Sequence, residues 1–299
     1  MKEALDLRRR RMLQGMLGAG ALALAGRDAS GQSRGVTAAS GGSEGAAVSR
    51  EELNSLPRVA LVIGNSRYKD APLRNPGNDA NAFAAQLKQM RFTVTLQLDA
   101  GRQEMIEAIR AYGGSLAQSK GVGLFYFAGH GAQLAWRNYL IPVDAAIKTS
   151  AELLAQAVDM NALLDDLIRA RNPMNIIILD ACRDNPFGSQ AALEQRGLSQ
   201  LDAPAGTLLA YATSPGNVAA DGTDANGLYT GFLLKEIQAR DAKIEDVFKR
   251  VRLNVRRISK GQQIPWECTS LEQDFHFYPP VAAKKLTPEE LEKQFEEEL

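Results

Sequence analysis

The chain has 299 residues, of which 45% are hydrophobic and 23% are charged, and its 35 basic residues balance 35 acidic ones. This composition is typical of a soluble globular protein, and the neutral balance argues against a nucleic-acid partner, which usually needs a basic surface. Two cysteines cannot build a disulfide framework, and the absence of C-x-x-C or H-x-x-x-H spacing argues against a structural zinc site.

The N-terminal segment, residues 1–25, has the architecture of a signal peptide. A basic stretch is followed by a short apolar run and an Ala-Leu-Ala ending. Arg9 and Arg10, followed by Met12 and Leu13, resemble the pair of a twin-arginine export signal. The apolar run is shorter than the roughly 20 residues of a stable membrane span. We expect export to the periplasm or the exterior, and the alternatives are an interfacial anchor or a disordered basic tail.

Residues 26–57 predict a flexible linker, because glycine, serine and alanine predominate up to residue 50 without apolar periodicity. Gly41, Ser43 and Gly45 match the esterase pattern G-x-S-x-G. That pattern needs a strand before the serine and a helix after it, and neither is predicted here. The match is therefore taken as accidental, and a serine hydrolase is disfavoured.

From Arg58 onwards, strand and helix patterns alternate. In chain order, strands are predicted in "RVALVIGN", "FTVTLQLD", "GVGLFYFAG", "MNIIILDAC", "GTLLAYATSP" and "EQDFHFYPP". Helices are predicted in "NPGNDANAFAAQLKQM", "QEMIEAIRAYGGSLAQS", "VDMNALLDDLIRAR", "NGLYTGFLLKEIQAR" and "IEDVFKRVRLNVRRIS". This alternation predicts an α/β domain at 58–280, with a mostly parallel sheet and helices on both faces. Runs without polar alternation ("VALVIG", "GLFYFA", "NIIILD") predict central strands, whereas "FTVTLQLD" alternates as an edge strand does.

Residues 281–299 predict an acidic helical tail. Thr287 can cap the helix, Pro288 suits its first position, and Glu290 completes a capping box. The chain stops after few turns of this helix, as expected of a truncated sequence or of a stub that packs on a partner.

Two residues with catalytic chemistry follow central strands: His130 in "FYFAGHG" and Cys182 in "IIILDAC". Ligands of parallel sheets bind outside the carboxyl ends of the strands, and neighbouring strands lie about 5 Å apart. If these two strands are neighbours, the thiol and the imidazole form a catalytic pair, because imidazole favours the thiolate and can protonate a leaving amine. The N–H groups of Gly131 and Cys182 are candidate oxyanion donors.

Each residue also has a structural interpretation. A cysteine after an apolar run is usually buried in the core, and a single histidine is usually a hydrogen-bonded polar group. Their joint placement favours catalysis. Cys268, in "PWECTS", is interpreted as structural, and His276 alternates with Phe275 and Phe277 in the last predicted strand, facing solvent or a neighbouring loop.

The segments "FYFAGHG" and "IIILDACRDNP" resemble the caspase/metacaspase clan of cysteine peptidases (peptidase C14), and most closely its bacterial caspase-like members. The caspase signature is Q-A-C-[RQG]-G, with a histidine about 50 residues upstream. This chain has "DACRD", in which the aspartate before Ala-Cys follows the metacaspase pattern. The resemblance runs from Arg58 to about Tyr278 and includes "LRNPGNDANAF", "YLIPVDA", "YATSPGNVAADG" and "NGLYTGFLLKEI".

The resemblance implies a caspase-like three-layer sandwich with a six-stranded, mostly parallel sheet, and a Cys-His endopeptidase. Metacaspases cleave after arginine or lysine, and Asp79 and Asp180 match the acids of their specificity pocket. Carboxylates suit a cationic side chain and repel an acidic one. The alternatives are that Asp79 stabilises a helix N-terminus and that Asp180 hydrogen-bonds a loop. Arg74 lies close to where animal caspases place an arginine that binds aspartate, so aspartate specificity is an alternative.

The resemblance implies polypeptide substrates, a monomer or weak dimer, and no required cofactor. Calcium-dependent members have an acidic cluster that Asp144 and Asp159 match, but Met160 stands where a second aspartate is usual, and calcium prefers six to eight oxygen ligands. If the enzyme prefers arginine, Arg196, in the polar segment after the cysteine strand, is a candidate self-cleavage site; the alternative is that this segment is an ordinary surface loop around the active site.

Two other functions compete with the peptidase. A catalytically silent caspase-like binding module is disfavoured because both His130 and Cys182 are retained. A nucleotide-binding domain is disfavoured because G-x-G-x-x-G does not follow the first strand and no Walker-type lysine loop occurs.

Overall fold

A computed structural model describes residues 50–182, 198–214, 225–240 and 242–278. The predicted signal peptide at 1–25, the linker from 26 to 49, the candidate cleavage site Arg196 and the tail at 281–299 lie outside the described residues. For Cys182 the backbone is described and the side chain is not. Within the described ranges, no helix is long and apolar enough to cross a membrane.

The described residues form seven helices and an eight-stranded sheet. The strands are β1 (Arg58–Gly64), β2 (Phe92–Leu98), β3 (Val122–Leu134), β4 (Arg137–Leu140), β5 (Val158–Asp159), β6 (Met174–Cys182), β7 (Thr207–Tyr211) and β8 (Trp266–Thr269). The helices are α1 (Arg50–Ser55), α2 (Pro76–Gln89), α3 (Arg102–Ser119), α4 (Ser150–Gln156), α5 (Met160–Ala170), α6 (Leu228–Glu236) and α7 (Ile244–Ile258).

Six strands form the main sheet in the order β2-β1-β3-β6-β7-β8, and β4 and β5 extend it beside the end of β3. Strands β2, β1, β3, β6 and β7 are parallel to one another, and β8 pairs antiparallel with β7. The predicted mostly parallel sheet is therefore confirmed, whereas the whole sheet has eight strands instead of the predicted six. The predicted places of β1, β3 and β6 in the middle and of β2 at an edge are confirmed as well.

Successive residues of the central strands are buried on opposite faces of the sheet. Tyr126 and Ile178 pack in a core with helices α2, α6 and α7. Their neighbours Phe125 and Ile177 pack in a second core with α3 and α5. Because both faces are covered by helices, these strands contain no polar alternation, which is why their sequences read as continuous apolar runs.

The prediction of a strand in "EQDFHFYPP" is wrong, because the last strand of the described chain is β8. The carbonyl oxygens of His276 and Phe277 accept hydrogen bonds from the guanidinium of Arg58, at 3.4 and 2.8 Å, instead of pairing with a strand. His276 is buried, so it does not face solvent, and the alternative that it faces a neighbouring loop stays a prediction. Cys268 lies on β8 and is half-buried.

Arg58 is a buried cation that ties the end of the domain to its first strand. Its guanidinium lies 5.6 Å from the ring centre of Phe92 and 5.0 Å from that of Phe275. Burial, followed by repulsion from Arg91, lowers the pKa of Arg58 to about 10. The aromatic rings and backbone carbonyls offset part of the cost of burying this charge.

Two local features were not indicated by sequence patterns. Helix α1 begins within the segment predicted as linker (26–57), and Leu53 is buried against the core. The strand that carries His130 continues to Leu134 and turns back into β4, which pairs antiparallel with it. This hairpin rises beyond the carboxyl edge of the main sheet, next to the histidine.

Candidate active site

The carboxyl ends of β3 and β6 bring His130 and Cys182 to the same edge of the sheet. The two strands pair in parallel, and His130 and Cys182 are partners in the register. Neighbouring strands lie about 4.8 Å apart, so the backbones of the two residues are adjacent. The prediction that these strands are neighbours is confirmed.

The His130 ring is oriented by a backbone carbonyl. Its side chain is buried, and Nε2 lies 2.7 Å from the carbonyl oxygen of Ala71. Because a carbonyl oxygen only accepts hydrogen bonds, Nε2 carries the proton in this contact. In the neutral ring, Nδ1 is then the basic nitrogen. The contact with Ala71 could not be predicted, because a carbonyl in an irregular segment has no sequence signature.

Tyr68 holds the backbone and the ring of His130. Its hydroxyl accepts the His130 N–H at 2.9 Å and donates to the carbonyl of Ile141 at 3.0 Å. The centres of the Tyr68 and His130 rings lie 4.4 Å apart. Gly129 has φ +155°, and a Cβ there would lie 2.6 Å from the Tyr68 hydroxyl. This close approach explains why a glycine precedes the histidine.

A small hollow of about 20 Å³ opens beside this histidine. Its lining includes Tyr68, Ala71, His130, Ile141 and Ile147. The hollow gives the buried imidazole access to a space outside the sheet.

Gly131 lies where a side chain would not fit. A Cβ at this position would lie 3.0 Å from Cδ2 of Leu198 and 3.1 Å from Cβ of Ala181. Ala181 immediately precedes Cys182 on β6, so the backbone after the histidine packs closely beside the backbone before the cysteine. The oxyanion role of the Gly131 and Cys182 N–H groups stays a prediction.

Both predicted pocket acids are bound by the start of α6. Asp79, in the first turn of α2, is 3% exposed, and its Oδ1 accepts hydrogen bonds from Asn226 Nδ2 at 2.8 Å and from the Gly227 N–H at 3.0 Å. Asp180 Oδ2 accepts a hydrogen bond from the Thr230 hydroxyl at 2.6 Å.

The two carboxylates raise the pKa of the same buried side chain, Tyr126. Burial, the charge of Asp180 and the charge of Asp79, in decreasing order, raise the pKa of Tyr126 well above its usual value. Because the short stretch 226–230 contacts both carboxylates, Asp79 and Asp180 lie in the same part of the fold although they are far apart in the chain. They lie on the α2 and α6 side of the sheet, where Tyr126 packs.

The calcium candidates have structural contacts. Asp144 Oδ1 accepts the N–H of Arg102, the first residue of α3, at 3.0 Å. Asp159 caps α5 by accepting the Asn161 N–H at 2.9 Å, and it forms an ion pair with Arg137. Among the residues that the structure describes, no group of three or more His, Cys, Asp or Glu side chains could hold a metal ion.

Comparison with known proteins places this architecture in a family. A family model described as a caspase domain (peptidase C14) matches residues 57–276. Mucosa-associated lymphoid tissue lymphoma translocation protein 1 of Homo sapiens is 28% identical over 242 residues, which are 78% of this chain and 28% of that protein. The Mus musculus homolog of that protein gives the same figures. The chain thus corresponds to 28% of the length of these relatives. Because the family model covers well over half of the chain, including β1 to β8, the chain belongs to the caspase-domain family of peptidases.

Proposed function

We propose that the chain is a cysteine endopeptidase that cleaves polypeptides after arginine or lysine, with Cys182 as the nucleophile and His130 as its acid–base partner. The observation that carries this proposal is the register of β3 and β6, which pairs the two residues at the carboxyl edge of the sheet. A positive-φ glycine before the histidine, a hydrogen bond that holds the His130 backbone and a second that holds its ring are typical of a functional site rather than of a structural histidine.

The chemistry follows from the tautomer of His130. With the Nε2 proton bound to Ala71, Nδ1 accepts the Cys182 thiol proton, and the thiolate attacks the scissile carbonyl carbon. The N–H groups of Gly131 and Cys182 stabilise the negative oxygen. Nδ1–H then protonates the leaving amine, and the C–N bond breaks. Water, deprotonated by Nδ1, hydrolyses the thioester, and the proton returns to the sulfur.

Asp79 and Asp180 support specificity for a basic residue. Both carboxylates are bound by the start of α6, so a cationic side chain entering this region meets two acidic groups. Arg74, the residue behind the aspartate alternative, is exposed at the surface, whereas Asp79 is buried. An acidic substrate side chain would be repelled from the two aspartates.

A direct test is the cleavage of matched peptides that differ only in the residue before the scissile bond: arginine, lysine, aspartate or citrulline. We expect cleavage after arginine and lysine, because only these complement the two carboxylates. We also expect cleavage to continue with a calcium chelator. Mapping of the cut sites by mass spectrometry provides the measurement. Preferential cleavage after aspartate or citrulline would overturn the proposed specificity, and loss of cleavage with the chelator would show that calcium is required.

A further inference from the structure

A short stretch at the start of α6 holds both acids of the proposed specificity pocket. Asn226 and Gly227 donate to Asp79, and Thr230, in the first turn of the helix, donates to Asp180. The two acids come from different elements, α2 and β6. Helix α6 therefore fixes the position of one carboxylate relative to the other.

The hydrogen bond to Asp180 is the second of two consecutive hydrogen bonds, in which Tyr126 donates to Thr230 and Thr230 donates to Asp180. An ionised carboxylate only accepts hydrogen bonds, so the Thr230 hydroxyl uses its single proton on Asp180. The Thr230 oxygen must then accept from its other partner, the Tyr126 hydroxyl, at 2.7 Å. Both Thr230 and Tyr126 are fully buried. Because the Tyr126 pKa is raised by burial, Asp180 and Asp79, the phenol remains a donor.

We propose that Thr230 is a specificity-determining positioning residue, which orients the Asp180 carboxylate so that the pocket prefers arginine to lysine. This inference rests on the proposed function. A guanidinium is a planar fork that binds carboxylates in a fixed orientation, whereas an ammonium is a compact charge with three rotatable donors. Restricting the rotation of the Asp180 carboxylate therefore strengthens the binding of arginine more than the binding of lysine.

The decisive variant is Thr230→Val, which keeps the shape of the side chain and removes the hydroxyl. We expect KM for the arginine peptide to rise about tenfold, the equivalent of one hydrogen bond lost between the guanidinium and a rotated Asp180 carboxylate, with kcat nearly unchanged. For the lysine peptide we expect a rise below about threefold, since the ammonium tolerates a rotated carboxylate. The ratio of kcat/KM for arginine and lysine peptides is the readout, because a general loss of structure would lower both equally.

Two further variants separate this role from folding. Thr230→Ser should restore the arginine preference, because it returns the hydroxyl. Tyr126→Phe removes only the oxygen that donates to Thr230, and we expect a smaller rise of about threefold in KM for arginine. Thr93→Val, on exposed strand β2, is the matched control and should change neither KM nor the ratio.

The possible outcomes distinguish the inference from the proposed function. If the unmodified chain cleaves after arginine and Thr230→Val retains the same KM and the same arginine preference, the positioning role is wrong while the peptidase assignment stands. If Thr230→Val and Thr230→Ser lose activity equally on both peptides, the threonine is structural and the inference is again overturned. If the unmodified chain cleaves after neither arginine nor lysine, the proposed function fails and this inference fails with it.

Discussion

Replacing Cys182 with alanine should lower kcat/KM for an arginine peptide by about 10⁴-fold or more, because the reaction loses its nucleophile. His130→Ala should lower kcat/KM by a similar factor, since the thiol loses its base and the leaving amine loses its acid. The double variant should be hardly worse than either single variant, because the two groups act as one unit. Initial rates with a fluorogenic peptide give all three values.

The matched control for this experiment is Cys268→Ala. Cys268 is the other cysteine of the chain and lies on β8, at the far edge of the main sheet from β1. We expect this variant to retain its peptidase activity. Undiminished hydrolysis by Cys182→Ala would rule out the sulfur as the nucleophile, whatever the effect of His130→Ala.

Neutralising either pocket acid should abolish the preference for a basic residue. Asp79→Asn and Asp180→Asn each keep the size of the side chain and a hydrogen-bond acceptor while removing the charge. Losing one charged partner of a desolvated pair should lower kcat/KM for the arginine peptide on the order of 10²-fold. The uncharged citrulline peptide should lose much less, so the ratio between the two peptides should collapse.

Asp246→Asn is the control for the acid variants, since Asp246 is exposed on α7 and neutralisation there changes net charge equally. It should leave the ratio of arginine to citrulline cleavage unchanged. Thermal unfolding of each variant shows whether the buried hydrogen bonds of Asp79 survive the substitution. A folded Asp180→Asn variant with an unaltered ratio would exclude this carboxylate from the specificity pocket.

The sheet was largely predictable because burial on both faces leaves a clear signal. The apolar runs of β1, β3 and β6 have no polar alternation, and their places in the middle of the sheet follow from that feature. The juxtaposition of His130 and Cys182 was predictable for the same reason, since the ends of neighbouring parallel strands meet at one edge.

The last strand was not predictable, because its contacts are long-range. Phe275 and Phe277 alternate with His276 as in a strand, but the carbonyls that a strand would pair are bound by Arg58, from the opposite end of the domain. Strand β8, "WECT", is short and half-exposed, so it has neither an apolar run nor a clear alternation.

The residues that hold His130 and Asp180 in place could not be predicted from the sequence, for a related reason. Tyr68 and the Ala71 carbonyl lie in an irregular segment after β1, and each contacts His130, which is distant in the chain. Thr230 lies in a helix whose apolar pattern is typical of core packing. Single hydrogen bonds between distant residues have no periodicity, so only the folded structure identifies them.

The most direct test of the central claim is whether the Cys182 thiol responds to His130. Iodoacetamide alkylation of Cys182 and Cys268 can be followed separately by mass spectrometry, across a pH series, in the unmodified chain and in His130→Ala. Imidazole promotes the reactive thiolate, so Cys182 should react rapidly at mildly acidic pH in the unmodified chain and much more slowly in the variant. The Cys268 profile should be the same in both proteins, which verifies that the variant is folded. An identical Cys182 profile with and without the imidazole would contradict the catalytic pair.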